Sequence, residues 1–132
     1  MSALELLSKA LAPAGAPAGE LAAVEAALGI ELPESYKAFM AVSDGCDGSL
    51  PHIWVILYPV ALVVPQTQSY RDICNAPDAV FIGTDGGTEA FVIDYSGDEP
   101  GFGALRYVGG SLEKLMYTAP TFDAFVERLN AG

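Results

Sequence analysis

Positive charge is scarce in this chain: six Lys and Arg stand against seventeen Asp and Glu, for a net charge of −11. Such a surface repels nucleic-acid phosphates and anionic lipid, because binding either requires clustered cations. Neither nucleic acid nor membrane is expected as a partner. Histidine is rarer still, with His52 alone, so a zinc site built from several His and Cys ligands is hard to assemble. Cys46 and Cys74 are the only cysteines and form no CxxC; one disulfide is open to them, but not a disulfide scaffold. Long apolar runs are missing too. The most apolar stretch, Ile53 to Val64, is interrupted by Pro59 and falls short of the roughly twenty residues a bilayer span requires. No basic segment followed by an apolar one opens the sequence, so no signal peptide is expected. These absences predict a soluble, cytoplasmic protein with no metal and no cofactor.

What is present points to a folded domain. Apolar residues make up 52% of the 132-residue chain, with mean hydropathy +0.34, far from the composition of a disordered segment. A chain of this length buries roughly two-thirds of its unfolded surface. One domain is expected over residues 1–132, as a monomer with a partner patch or as a homodimer. The acidity has two readings: a device for solubility, or a means of attracting and steering a basic partner.

Periodicity gives the elements. Leu4, Leu7 and Leu11 recur at helical spacing over Ser2–Ala12, with Ser2 as N-cap, and Pro13–Pro17 then breaks the pattern. A second helix is predicted over Ala18–Leu28, stopped by Gly29. A third begins at Pro33, turns Tyr36, Phe39 and Met40 inward, and ends at Asp44-Gly45. Ile53–Tyr58 then reads as a strand, whereas Gln66–Ala76 shows only a weak helical hint at Tyr70 and Ile73. Val80–Thr84 and Thr88–Tyr95 form a hairpin about Asp85-Gly86-Gly87. The second of these is apolar on both faces, as a central strand covered on each side would be. A loop over Ser96–Gly103 precedes a last strand near Ala104–Val108. Thr121 caps a final helix whose Phe122, Phe125, Val126 and Leu129 fall at i, i+3, i+4 and i+7. Helices, then consecutive strands, then one helix make an α+β fold: N-terminal helices, a central antiparallel sheet and a C-terminal helix packed on it.

No assembled chemistry stands out. A Ser-His-Asp arrangement lacks its Gly-x-Ser-x-Gly elbow, since Gly109-Gly110-Ser111 has no closing glycine. Asp44-Gly-Cys-Asp47 fails as a calcium loop, because the third position is Cys46 and the twelfth Val55. Asp85-Gly86-Gly87-Thr88 carries no Lys and joins strands, so it is a turn and not a phosphate cradle. Asp94, Asp98 and Glu99 have no surrounding sequence that would fix a glycosidase pair. Cys46, in a loop, and Cys74, near an apolar turn, read as small buried hydrophobes. The chain is therefore not expected to be an enzyme.

Two blocks carry a resemblance. Leu28-Gly-Ile-Glu-Leu-Pro-Glu-Ser-Tyr-Lys-Ala-Phe-Met followed by Ser43-Asp-Gly resembles the opening signature of the SMI1/KNR4 (SUKH) family. Phe81-Ile-Gly-Thr-Asp-Gly-Gly-Thr-Glu-Ala-Phe-Val-Ile-Asp is similar to that family's second block, with Thr88 where another glycine is frequent. The segment from Thr121 to Leu129 resembles its closing helix. Residues 1–17 would then be an added N-terminal helix and Pro/Ala/Gly loop. The resemblance implies an α+β fold and no catalytic residues. It also implies a protein-binding role: bacterial members neutralise toxins, many of them nucleases, while fungal members are regulatory interaction modules. An unrecognised hydrolase using His52 or Asp94 is a third reading. A cognate toxin, basic where it binds phosphates, would meet an acidic surface. Asp44, Asp47, Asp98 and Glu99 are the first candidates for that surface, followed by Asp85 and Glu89; each also reads as a solvated turn residue.

Overall fold

The helix predicted from Ser2 forms, but only over Ala3–Leu6 (α1). Ser2 and Glu5 make the reciprocal capping box: the Ser2 hydroxyl accepts from the Glu5 N–H at 3.2 Å, and the Glu5 carboxylate accepts from the Ser2 N–H at 3.0 Å. The expected extension to Ala12 is lost to tertiary pairing. Ala10 gives its carbonyl to the Asp47 N–H at 3.1 Å, and Leu11 bridges Cys46. These contacts draw the segment along an edge strand and out of helical geometry. In this computed structural model, which describes all residues from Met1 to Gly132, α2 spans Ala18–Leu28 and α3 spans Glu34–Val42. Gly29 closes α2 in the left-handed region, φ +67°, as its position predicted. Pro33 is the N-cap of α3, one residue before its first turn.

Six strands follow in a single antiparallel meander, each paired with its neighbour in the sequence. They are β1 (Cys46–Ser49), β2 (Trp54–Leu57), β3 (Ala79–Thr84), β4 (Glu89–Asp94), β5 (Gly101–Arg106) and β6 (Met116–Ala119). Three departures from the sequence reading matter. Cys46 and Asp47 lie in β1, not in a loop. The last strand of the sheet is β6, and β5 begins inside the predicted Ser96–Gly103 loop. The weakly patterned Gln66–Ala76 is helical as far as Ile73, in a helix α4 (Val60–Ile73) that begins six residues earlier and runs through Pro65. The C-terminal helix α5 (Phe122–Ala131) starts as expected, with the Thr121 hydroxyl accepting from the Ala124 N–H at 3.1 Å.

The sheet is covered on both faces. Ala90, Phe91, Val92 and Ile93 of β4 are all fully buried, which fits a central strand. On one face Phe91 meets Phe125 edge-on at 5.6 Å, and Phe102 contacts Phe122 and Phe125. Tyr36 and Phe39 of α3 complete that aromatic cluster against Phe122. On the other face α4 lies over β3, with Tyr70 stacked on Phe81 at 5.7 Å. Thr67, fully buried, accepts from the Phe81 N–H at 2.9 Å, beside the irregularity between Phe81 and Gly83. Gly83 is required there: a Cβ would stand 2.2 Å from the Ile56 carbonyl oxygen.

Candidate binding surface

The six acids singled out in the sequence fall into different environments. Asp44 follows α3, half-buried, and its Oδ1 accepts from the Val60 N–H at 2.7 Å. It thereby caps α4 from sixteen residues away and places a carboxylate at the positive end of that helix. The chain reaches this position through Gly45, at φ +83°, where a Cβ would meet the Leu57 carbonyl oxygen at 2.4 Å. Ser43, fully buried, braces the same corner. Its hydroxyl accepts from the Ala12 N–H at 2.7 Å and donates to the Gly45 carbonyl.

Asp47 is exposed on β1, and its Oδ1 accepts from the Trp54 indole N–H at 2.7 Å. Asp47 pairs with Ile56 across the ladder, so Asp47, Ile56 and Trp54 stand on one face of the sheet. Val55 and Leu57 point to the other face and are buried. Asp85 holds the hairpin turn, where its Oδ1 accepts from the Gly87 N–H at 2.8 Å and the Glu89 N–H at 3.1 Å. Glu89 sits opposite Arg106. Its Oε1 is buried without a hydrogen-bond partner, and burial first, then the Asp85 charge, raise its pKa against the opposing pull of Arg106. Asp98 and Glu99 are exposed in the β4–β5 connection, at the end of the strands away from the β3–β4 hairpin.

The structure thus brings Asp44 and Asp47 to one groove, walled also by Ala10–Ala12 and Pro59. It leaves Asp98 and Glu99 at a separate place, where Glu99 and Asp94 line another depression. None of the six forms an ion pair: the chain's ion pairs join Lys37 to Glu25 and Glu34, and the N-terminus to Glu127. His52 lies in the β1–β2 connection against Gly132. Both cysteines are buried and free, and burial pushes the Cys46 thiol up to about 11, so it stays protonated and unreactive at neutral pH. No three His, Cys, Asp or Glu side chains converge as a metal-binding group. No helix is long and apolar enough to cross a membrane.

Residues 15–128, most of the chain, match the model of the SMI1 / KNR4 family (SUKH-1). The chain belongs to this family. The residues that carry the SMI1/KNR4 signature turn out to be builders of the fold. Leu32, Tyr36 and Phe39 are buried, Asp44 caps α4, Gly83 admits the Ile56 carbonyl, and Asp85 closes the hairpin. Among curated proteins, none matches the chain at a significant level.

Trp54, the only tryptophan, lies in an apolar run and is not among the site residues expected from the sequence. It is 48% exposed. The signal available was alternation: Trp54 and Ile56 share one side of β2, opposite Val55 and Leu57.

Proposed function

We propose that this protein is an immunity protein: it binds a cognate toxin directly and neutralises it, without catalysis of its own. The observation that carries the reading is membership of the SMI1/KNR4 family in a chain of net charge −11. Nucleases bind phosphates through basic grooves, and an acidic protein surface matches such a groove in charge. Long-range attraction of this kind speeds encounter, while buried aromatic and aliphatic anchors slow dissociation. The site of action in this reading is the cytoplasm, where the toxin would otherwise act.

The acids fit the reading unequally. Asp47, Asp98 and Glu99 are exposed and form no ion pair, although Lys9 lines the same depression as Asp47, so a basic partner reaches them without breaking one. Asp44 and Asp85 already hold backbone N–H groups of their own chain, and Glu89 is partly withdrawn. Docking is therefore assigned first to Asp47, Asp98 and Glu99. The test is co-expression with the catalytic domain of a toxin encoded beside this gene. Restored growth is expected, together with a complex of the two purified proteins. Failure to rescue growth against any adjacent toxin would sink the reading.

A further inference from the structure

Trp54 has few of the features of a packing residue. Almost half of its surface is open at 48% exposure, yet its ring is held in place by the 2.7 Å bond from its indole N–H to Asp47. An exposed large aromatic fixed in one orientation has already lost much of the freedom that binding would otherwise remove. Around it a shallow depression is lined by Leu6, Leu7, Lys9, Asp47 and Ser49. Half-buried Ile56 follows on the same side of β2, and Thr84 is the partner of Ile56 in β3. Beyond Thr84 the same face of the sheet is closed: Ala90 and Leu105 are fully buried, and Tyr107 packs on Tyr70 of α4 at 5.2 Å. Helix α4 covers this face over β3 but leaves the Trp54 end open.

We propose that the face of β1 and β2 formed by Trp54, Ile56 and Asp47 is a docking surface for a basic protein, with Trp54 as the anchor and Asp47 as the receiver of a Lys or Arg side chain. Three arguments select that occupant. A second copy of this chain would bring −11 against −11, which opposes self-association. Nucleic acid finds one stacking ring here and a single cation, Lys9, which is no cluster to hold phosphates. A Lys or Arg side chain is suited twice over: the indole face attracts a cation, and Asp47 uses only Oδ1 on Trp54, leaving Oδ2 for a charge-assisted bond. Trp, Tyr and Arg are also the residue types that dominate binding hot spots. The inference rests on the immunity reading for the partner's identity, not for the place or chemistry of the surface.

Two experiments on the full chain test it. Peptides selected from a random displayed library against the wild-type protein should be rich in Lys or Arg beside apolar residues. Their affinity should fall about tenfold or more on Trp54→Ala, as for an anchor residue, and stay unchanged on Glu113→Gln, on the exposed turn before β6. Acidic or neutral winners, or peptides that bind Trp54→Ala as well as wild type, overturn the proposal. Thermal melts of the variant check that it folds. The second experiment needs no mutation: a fluorotryptophan label gives a single fluorine resonance, which should shift when a neutralised toxin domain binds. A complex that rescues growth while that resonance stays unmoved overturns this surface and leaves the immunity reading standing. Basic peptides that require Trp54, with no adjacent toxin neutralised, would support the surface and remove the immunity reading.

Discussion

Asp44 looks, in the sequence, like any acid at a helix stop; the fold turns it into the cap of a different helix. Its carboxylate satisfies an N–H that Pro59, lacking a side-chain acceptor, leaves open at the start of α4. Asp44→Ala should therefore cost about 1–2 kcal/mol in denaturant unfolding. Asp44→Asn, which keeps the acceptor oxygen, should lose less. Glu89 gives the opposite case. Burial and Asp85 raise its pKa in the folded state, so the folded chain holds that proton more tightly than the unfolded chain. Stability at this position is full below the ordinary glutamate pKa and declines as pH rises through the raised value. Glu89→Gln should accordingly raise Tm at neutral pH, and the gain should disappear in acid, where both forms are uncharged. A gain that persists unchanged at low pH would contradict this origin.

Among the elements, α4 departs furthest from local preference. It contains Pro65, whose missing N–H and ring both oppose a helix interior, together with several β-branched residues of low helix propensity. Its stability comes from outside: Val60, Val63 and Thr67 are buried, Tyr70 stacks on Phe81, and Arg71 donates to the Ala79 carbonyl at 2.9 Å. Thr67 is the most telling contact, because its hydroxyl is the partner of the Phe81 N–H in a fully buried setting. Thr67→Val keeps the shape and leaves that N–H unpaired, so a loss of about 1–3 kcal/mol is expected in chemical denaturation. Thr67→Ser should retain the bond. α5 is the contrast: its apolar stripe and Thr121 cap are contained within ten residues, and it was readable from the sequence for that reason.

For the molecule as a whole, charge is the dominant long-range property. Seventeen acids against six bases, with few ion pairs, leave most carboxylates to repel one another. Repulsion between exposed charges is screened beyond about 10 Å at 0.1 M salt, so Tm should rise as sodium chloride is added from low concentration. Association with a basic partner should respond in the opposite sense, its on-rate falling steeply with salt while dissociation changes little. Stopped-flow mixing at several ionic strengths separates the two. An on-rate indifferent to salt would mean that the acidity does not steer docking.

The sequence by itself determined the parts whose signals are local. The boundaries of α2, the inward face of α3, the hairpin around Asp85-Gly86-Gly87, the α5 stripe and the acidic surface all follow from spacing, caps, turn residues and charge. Tertiary structure alone decided the rest. β1 exists because Cys46–Ser49 pairs with Trp54–Leu57; its Cys-Asp-Gly-Ser sequence has no strand pattern of its own. β6 exists because Met116–Ala119 lies along β5. α4 is helical because a sheet lies beneath it. The exposure of Trp54 belongs to the same class. Alternation placed it opposite Val55, but its exposure depended on α4, which lies on the same face, coming to rest over β3 and stopping short of it, and α4 is held by contacts to β3 that no local stretch of sequence contains.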